Sequence, residues 1–163
     1  MTFTEFLTMV FSGNTLALLG AGLAVLMAGI GSARGVNMVA KASVGLLSEN
    51  PSLFGKTLGL QALPMTQGIY GFIVAFLILL KMKAGILGGA PNLTHVEGAY
   101  YLVAALPIAI VGYYSAIKQG EVATAGVMAI AKRPSEFGKA ITSAALVETY
   151  AILAALISLL LVL

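Results

Sequence analysis

The sequence predicts an all-α membrane protein of four transmembrane helices, laid out as two tandemly duplicated helical hairpins. Three observations carry this. Of 163 residues, 60% are hydrophobic and 9% charged, whereas soluble domains carry about 25% charged residues. Hydrophobic runs recur at about 14–33, 57–80, 99–117 and 140–163, each near the ~20 residues that cross about 30 Å of hydrocarbon. The chain also repeats itself. A shift of 83 residues overlays the second half on the first without a gap, and about a third of the paired positions are identical.

The same composition excludes disorder, a nucleic-acid-binding domain and an ordinary soluble enzyme. The net charge of +3 comes from nine Lys and Arg spread along the chain, a pattern of membrane topology rather than of a polyanion partner. Cysteine is absent and His95 stands alone, so neither thiol chemistry nor a histidine metal cluster is available. No P-loop and no nucleophile–histidine pair is visible.

The N-terminal stretch MTFTEFLTMVF lacks a basic region and a small-residue cleavage site, so it is not read as a removable signal peptide. The first hairpin then occupies 1–83, with spans at about 12–47 and 53–80 around the turn SENPS (48–52). A Gly-rich linker at 84–98, holding His95 and Glu97, is expected to be an exposed connection. The second hairpin occupies 99–163, with spans at about 97–131 and 135–163 around AKRPS (131–135). PSLFGK (51–56) falls on PSEFGK (134–139), a coincidence that compositional bias does not produce.

The first and third spans are built from small residues. In GAGLAVLMAGIGSARG (20–35), Gly20, Ala24, Ala28 and Gly31 lie close to one face. Such faces let membrane helices approach closely, here expected between copies of the chain rather than within one. A dinucleotide-binding glycine fingerprint does not fit, because no strand precedes these glycines. Both spans exceed the bilayer: Glu97 to Lys132 is about 52 Å of helix. The ends carrying Lys41 and Glu121 are expected to stand out of the membrane.

The fourth span holds one acid within its apolar run, Glu148, nine residues beyond Lys139 and fifteen before the C-terminus. A charge near the midplane costs several kcal/mol, so the group is protonated, paired or binding a cation. Ala144, Ala145, Ala151 and Ala155 on or beside its face leave room for close neighbours. Under the repeat shift Glu148 falls on Met65, so one hairpin alone keeps a carboxylate.

The second span supplies polar groups at a comparable depth. In LQALPMTQGIYG (60–71), Leu63, Thr66, Gln67 and Tyr70 are spaced as one helical face. Pro64 frees the carbonyl of Leu60 and loosens that of Leu63. Beside a carboxylate these make an oxygen-rich site suited to a hard cation; the plain alternative is a set of interhelical hydrogen bonds. Gln119, in SAIKQGEV, is placed by periodicity equally well in the site or in a cytoplasmic stub of the third helix. Arg34, Lys41, Lys56, Lys118, Lys132, Arg133 and Lys139 lie toward the two tight turns, and Lys81 and Lys83 toward the other side. The positive-inside rule puts both turns in the cytoplasm and both termini outside a cell membrane.

LPMTQGIYG (63–71), SAIKQGEVATAG (115–126), VETYAIL (147–153) and the two PSxFGK turns resemble the proteolipid K subunits of V-type ATPases, in their sodium-transporting bacterial branch. The resemblance covers nearly the whole chain. It implies a homo-oligomeric rotor ring, with the first and third helices inside. Glu148 would be the ion-carrying carboxylate for Na⁺, with Thr66, Gln67 and Gln119 as side-chain ligands and Leu63 as a carbonyl ligand. Tyr70 would hydrogen-bond Glu148 and hold it closed around the ion. It further implies a membrane stator that supplies an Arg, central-stalk proteins at the cytoplasmic turns, and ATP hydrolysis in partner proteins, this chain being non-catalytic. H⁺ is the alternative cargo, and Li⁺ a substitute for Na⁺. Met65 departs from the small residue expected at its position, though it lies at a different angle from Thr66 and Gln67. An independent cation transporter or channel is the competing class, as is a purely structural oligomer. A transporter more often breaks its helices at the midplane around an inner cavity.

Overall fold

The computed structural model describes residues 2–82 and 92–163; Lys83 and the stretch 84–91 of the expected linker lie outside the described residues. Among the described residues the helices are α1 Phe3–Val10, α2 Gly13–Glu49, α3 Phe54–Ala62, α4 Thr66–Lys81, α5 His95–Lys132 and α6 Phe137–Val162. Short 3₁₀ turns at Pro51–Leu53, Leu63–Met65 and Pro134–Glu136 join them. Among the described residues four segments are long and apolar enough to cross a membrane: α2, Pro51–Lys81 (α3 with α4), α5, and Pro134–Val162.

The sequence provides caps at the helix starts. Ser12 accepts from Thr15 N at α2, satisfying a donor the first turn leaves free. At α5 the pair Thr94 and Glu97 forms a capping box, the threonine hydroxyl accepting from Glu97 N and Glu97 accepting from Thr94 N at 2.8 Å. The Thr94 backbone N–H, then its hydroxyl, hold the Glu97 carboxyl below its usual range. His95 and Glu97 are therefore the first turn of a helix, correcting the expectation that the linker runs to 98. The same box at Thr2 and Glu5 starts α1, a short helix not anticipated from the sequence. Proline at the first position of the turns after Asn50 and Arg133 fits a site with no donor to lose.

At 37 and 38 residues, α2 and α5 measure about 55 Å each, well beyond the hydrocarbon thickness. They pack along most of their length. Gly31 touches the backbone of α5 directly: a methyl placed there would lie 2.6 Å from the Tyr113 carbonyl oxygen. At Gly35, likewise, it would overlap the carbonyl oxygen of Ala116. Gly20, Ala24, Ala28 and Gly31 are all buried within the chain. The small face is thus used inside one chain, correcting the expectation that it serves contacts between copies. A periodic stripe shows which face is small, not which neighbour it meets. Gly22 and Gly29, off that face, meet nothing within 4 Å.

The outer helices lean on this pair. Pro107 lies within α5, and Ser158 of α6 accepts from the following amide, Ile108 N, at 3.2 Å. Lys56 Nζ donates to the Pro134 carbonyl at 2.7 Å, tying the two tight turns together at one end. Lys81 Nζ donates to Leu163 O at 2.8 Å at the other. The two hairpins therefore run side by side in the same sense.

Candidate ion-binding site

The second span is broken where Pro64 removes an amide. α3 ends at Ala62, a 3₁₀ turn spans Leu63–Met65, and α4 resumes at Thr66. The break hands the Leu63 carbonyl to the Thr66 hydroxyl, which donates to it at 3.0 Å. Thr66 Oγ1 is also 3.4 Å from Gln67 Oε1. Ser32 of α2 secures the same turn: its hydroxyl accepts from Gly68 N at 2.8 Å and donates to Met65 O at 3.5 Å.

From Gln67 the network crosses to the second hairpin. Gln67 Nε2 donates to Gln119 Oε1 at 2.6 Å, and both side chains are fully buried. Gln119 Nε2 donates to the Ala144 carbonyl at 3.1 Å and to Glu148 Oε2 at 3.3 Å. The other carboxylate oxygen, Oε1, accepts from Tyr70 Oη at 2.6 Å. Leu63, Thr66, Gln67, Tyr70, Gln119 and Glu148 are thus brought into one connected cluster. Gln119, which periodicity left open, lies in it. Ala144 and Ala151 flank Glu148 as buried small residues, as does Ala155 one turn further; Ala145 faces outward.

Both oxygens of Glu148 accept hydrogen bonds, Oε1 from Tyr70 and Oε2 from Gln119. Among the described residues no Lys or Arg is paired with it. Arg34 is engaged elsewhere, donating to the Tyr113 hydroxyl with its guanidinium over the same ring. Met65 is 51% exposed and turned away from the cluster, so it leaves the site open to an ion. Three contributors escaped the sequence reading. The Ala144 carbonyl could be found only from structure. Ser32 and its repeat partner Ser115, whose hydroxyl donates to Val147 O at 3.0 Å, each tie an inner helix to its outer helix near the site. Their signal was the SA pair shared by the two halves at 32–33 and 115–116.

The repeat has counterparts in known proteins. The ATP synthase C-subunit family matches residues 19–78 and again 102–161, two segments offset by the 83 residues of the internal repeat. The V-type sodium ATPase subunit K of Enterococcus hirae is 46% identical over 151 residues, covering 93% of this chain and 92% of that protein. The A-type ATP synthase subunit K of Methanocaldococcus jannaschii is 42% identical over 146 residues, covering 90% of this chain and 61% of that longer relative. Two family matches in one chain, two K relatives that each align with nine-tenths of it, and a duplicated four-span fold lead to one conclusion: the chain belongs to the ATP synthase C-subunit family, as a duplicated proteolipid of the K kind.

Proposed function

We propose that this chain is the ring-forming membrane component of a V-type rotary ATPase and carries Na⁺ on Glu148. Copies of the chain form the rotor, and ATP hydrolysis in partner proteins turns it. The tight turns face the cytoplasm, where the central stalk meets them, and both termini lie outside.

The observation that carries the reading is the set of oxygens around one carboxylate. The Leu63 carbonyl, the Thr66 hydroxyl and the amide oxygens of Gln67 and Gln119 all belong to the cluster that ends on Glu148. A proton carrier needs the carboxylate and little else, while a hard cation needs several oxygens. Gln67 and Gln119 bond each other. With Na⁺ present, that bond gives way to oxygen–cation contacts, each amide turning its oxygen inward. Thr66 keeps its donor on Leu63 and offers a lone pair. Tyr70 holds Glu148 in place, and Na⁺ balances the carboxylate charge, so the loaded site is neutral while it faces lipid. At the stator, an Arg of that partner favours the bare carboxylate and releases the ion. Li⁺, smaller and of similar chemistry, fits the same donors.

The test is labelling of Glu148 in membranes by a hydrophobic carbodiimide, which attacks a protonated carboxyl. Sodium at fixed pH protects Glu148 and potassium does not. Protection that follows pH alone assigns the site to protons. A Glu148 that never labels refutes the carrier role.

A further inference from the structure

Between Glu5 and Arg34 the chain carries no charge for 28 residues, Phe6 to Ala33, more than the ~20 that cross the hydrocarbon. The helix does not run through that stretch unbroken. α1 ends at Val10, and Ser12 leaves the helical conformation, with ψ at 153°, before capping α2. The 21 residues from Gly13 to Ala33 beyond the break suffice for a span by themselves. The surplus apolar length is α1.

α1 is two-faced. Phe3, Phe6, Leu7 and Val10 share one side at helical spacing, and Thr4, Glu5 and Thr8 the other. None of its residues is buried, and Phe3 and Met9, with Phe11 just beyond, are more than half exposed. Yet the turn that holds it is ordered. Phe11 N donates to Leu7 O at 2.9 Å and Ser12 N to Met9 O at 3.3 Å. The Thr15 hydroxyl of α2 donates to the same Met9 carbonyl at 3.2 Å and is itself 2.9 Å from Ser12 Oγ. A tether of two residues reaches about 7 Å, so the apolar side of α1 stays within a helix width of the end of α2.

That end lies at the water boundary. Gly13 touches the backbone of Leu93 and Thr94, and Asn14 Oδ1 accepts from Leu93 N at 2.9 Å, so α2 starts level with the Thr94–Glu97 capping box of α5. Lys81 and Leu163 meet at the same end. We infer that α1 lies in the membrane interface opposite the tight turns, with Phe3, Phe6, Leu7 and Val10 among the acyl chains and Thr4, Glu5 and Thr8 toward water.

Lipid is the occupant because α1 continues a membrane-spanning segment at the level where that segment leaves the hydrocarbon, which is where helices of this two-faced kind lie. Its polar side suits that place. The Thr8 hydroxyl donates to Thr4 O at 3.1 Å and to Glu5 O at 2.9 Å, and Glu5 accepts from Thr2 N at 2.7 Å. α1 carries no Lys or Arg, so its insertion rests on apolar contact and needs no anionic headgroup. A helix lying flat here fixes the depth at which α2 starts. The excess of its 37 residues then projects from the bilayer at the tight-turn end. This contact needs only the membrane spans, whatever ion the chain carries.

Tryptophan is absent from the chain, so one introduced indole reports on one site. Full-length Phe6→Trp and Thr8→Trp proteins are reconstituted in vesicles of phosphatidylcholine alone. The Phe6→Trp emission should lie to the blue of Thr8→Trp, and aqueous iodide should quench Thr8→Trp several-fold more steeply. Equal quenching of the two overturns the interfacial placement. What covers the apolar side is read with a photoreactive benzophenone side chain replacing either Phe6 or Thr8, illuminated in native membranes. A phospholipid adduct is expected at position 6, several-fold above its yield at position 8. A protein adduct at position 6 that exceeds the lipid one, to a second copy or to another chain, overturns lipid as the occupant. A phospholipid yield at position 6 no higher than at position 8 does the same.

Discussion

Removing one oxygen from Tyr70 isolates the latch from the ligands. In Tyr70→Phe the ring remains and the donor to Glu148 Oε1, now at 2.6 Å, is lost. A hydrogen bond to a charged group contributes about 1.5–3 kcal/mol. Each ~1.4 kcal/mol is tenfold in affinity, so the sodium concentration giving half protection of Glu148 should rise about ten- to a hundredfold. Lipid offers no water to replace the donor, which argues against the low end. The assay is carbodiimide labelling against a sodium titration at fixed pH, with Glu148→Gln as the unlabelled control. The ion set itself is untouched, so saturating sodium should still protect fully. A midpoint unchanged within about twofold, far below the loss expected for a charged hydrogen bond, would refute the latch. Loss of protection at any sodium concentration would make Tyr70 part of the ligand shell or of the fold.

Three other outcomes follow from the geometry. Gln119→Leu removes contacts to Gln67, Ala144 and Glu148 together; sodium protection should disappear while pH-dependent labelling persists, and retained sodium protection contradicts a ligand role. Gly31→Ala forces a methyl against the Tyr113 backbone; the thermal midpoint in detergent should fall by the equivalent of about 1–3 kcal/mol, whereas Gly45→Ala, which meets nothing within 4 Å, should leave it unchanged or higher. Glu97, its folded carboxyl held below the ordinary value, stabilises the start of α5 above the ordinary carboxylate range, and that contribution is lost as pH falls through its lowered value. Amide exchange near Thr94, compared with a capless peptide at each pH, should therefore lose protection on acidification in the native chain and be pH-insensitive in Glu97→Gln; the same acid response in both would remove Glu97 as the cause.

Much of the site was legible because helical spacing is a local property. Leu63, Thr66, Gln67 and Tyr70 share a face by arithmetic, and Pro64 marks the break between α3 and α4. A lone carboxylate in an apolar run marks itself. What needed the structure was register between helices that are far apart in sequence. Gln119 sits 29 residues from Glu148 on a helix far longer than the membrane, and periodicity along that helix does not fix its depth against α6. The small stripe was misassigned for the same reason. The caps at two helix starts are a different case. Thr2-x-x-Glu5 and Thr94-x-x-Glu97 are capping boxes written in the sequence, overlooked beside stronger apolar runs.

Fusing the two hairpins into one polypeptide also sets the rhythm of a rotor built from it. In the ring proposed above, hairpins with and without Glu148 reach the membrane in a fixed one-to-one ratio and cannot fall out of alternation during assembly. Separate hairpins drawn from a mixed pool would scatter the carriers around the circumference at irregular intervals. Here every interval is the same, two hairpins wide. In that proposed ring each ion released would advance the rotor by the arc of a whole chain, giving fewer and larger steps per turn, evenly phased against the stator.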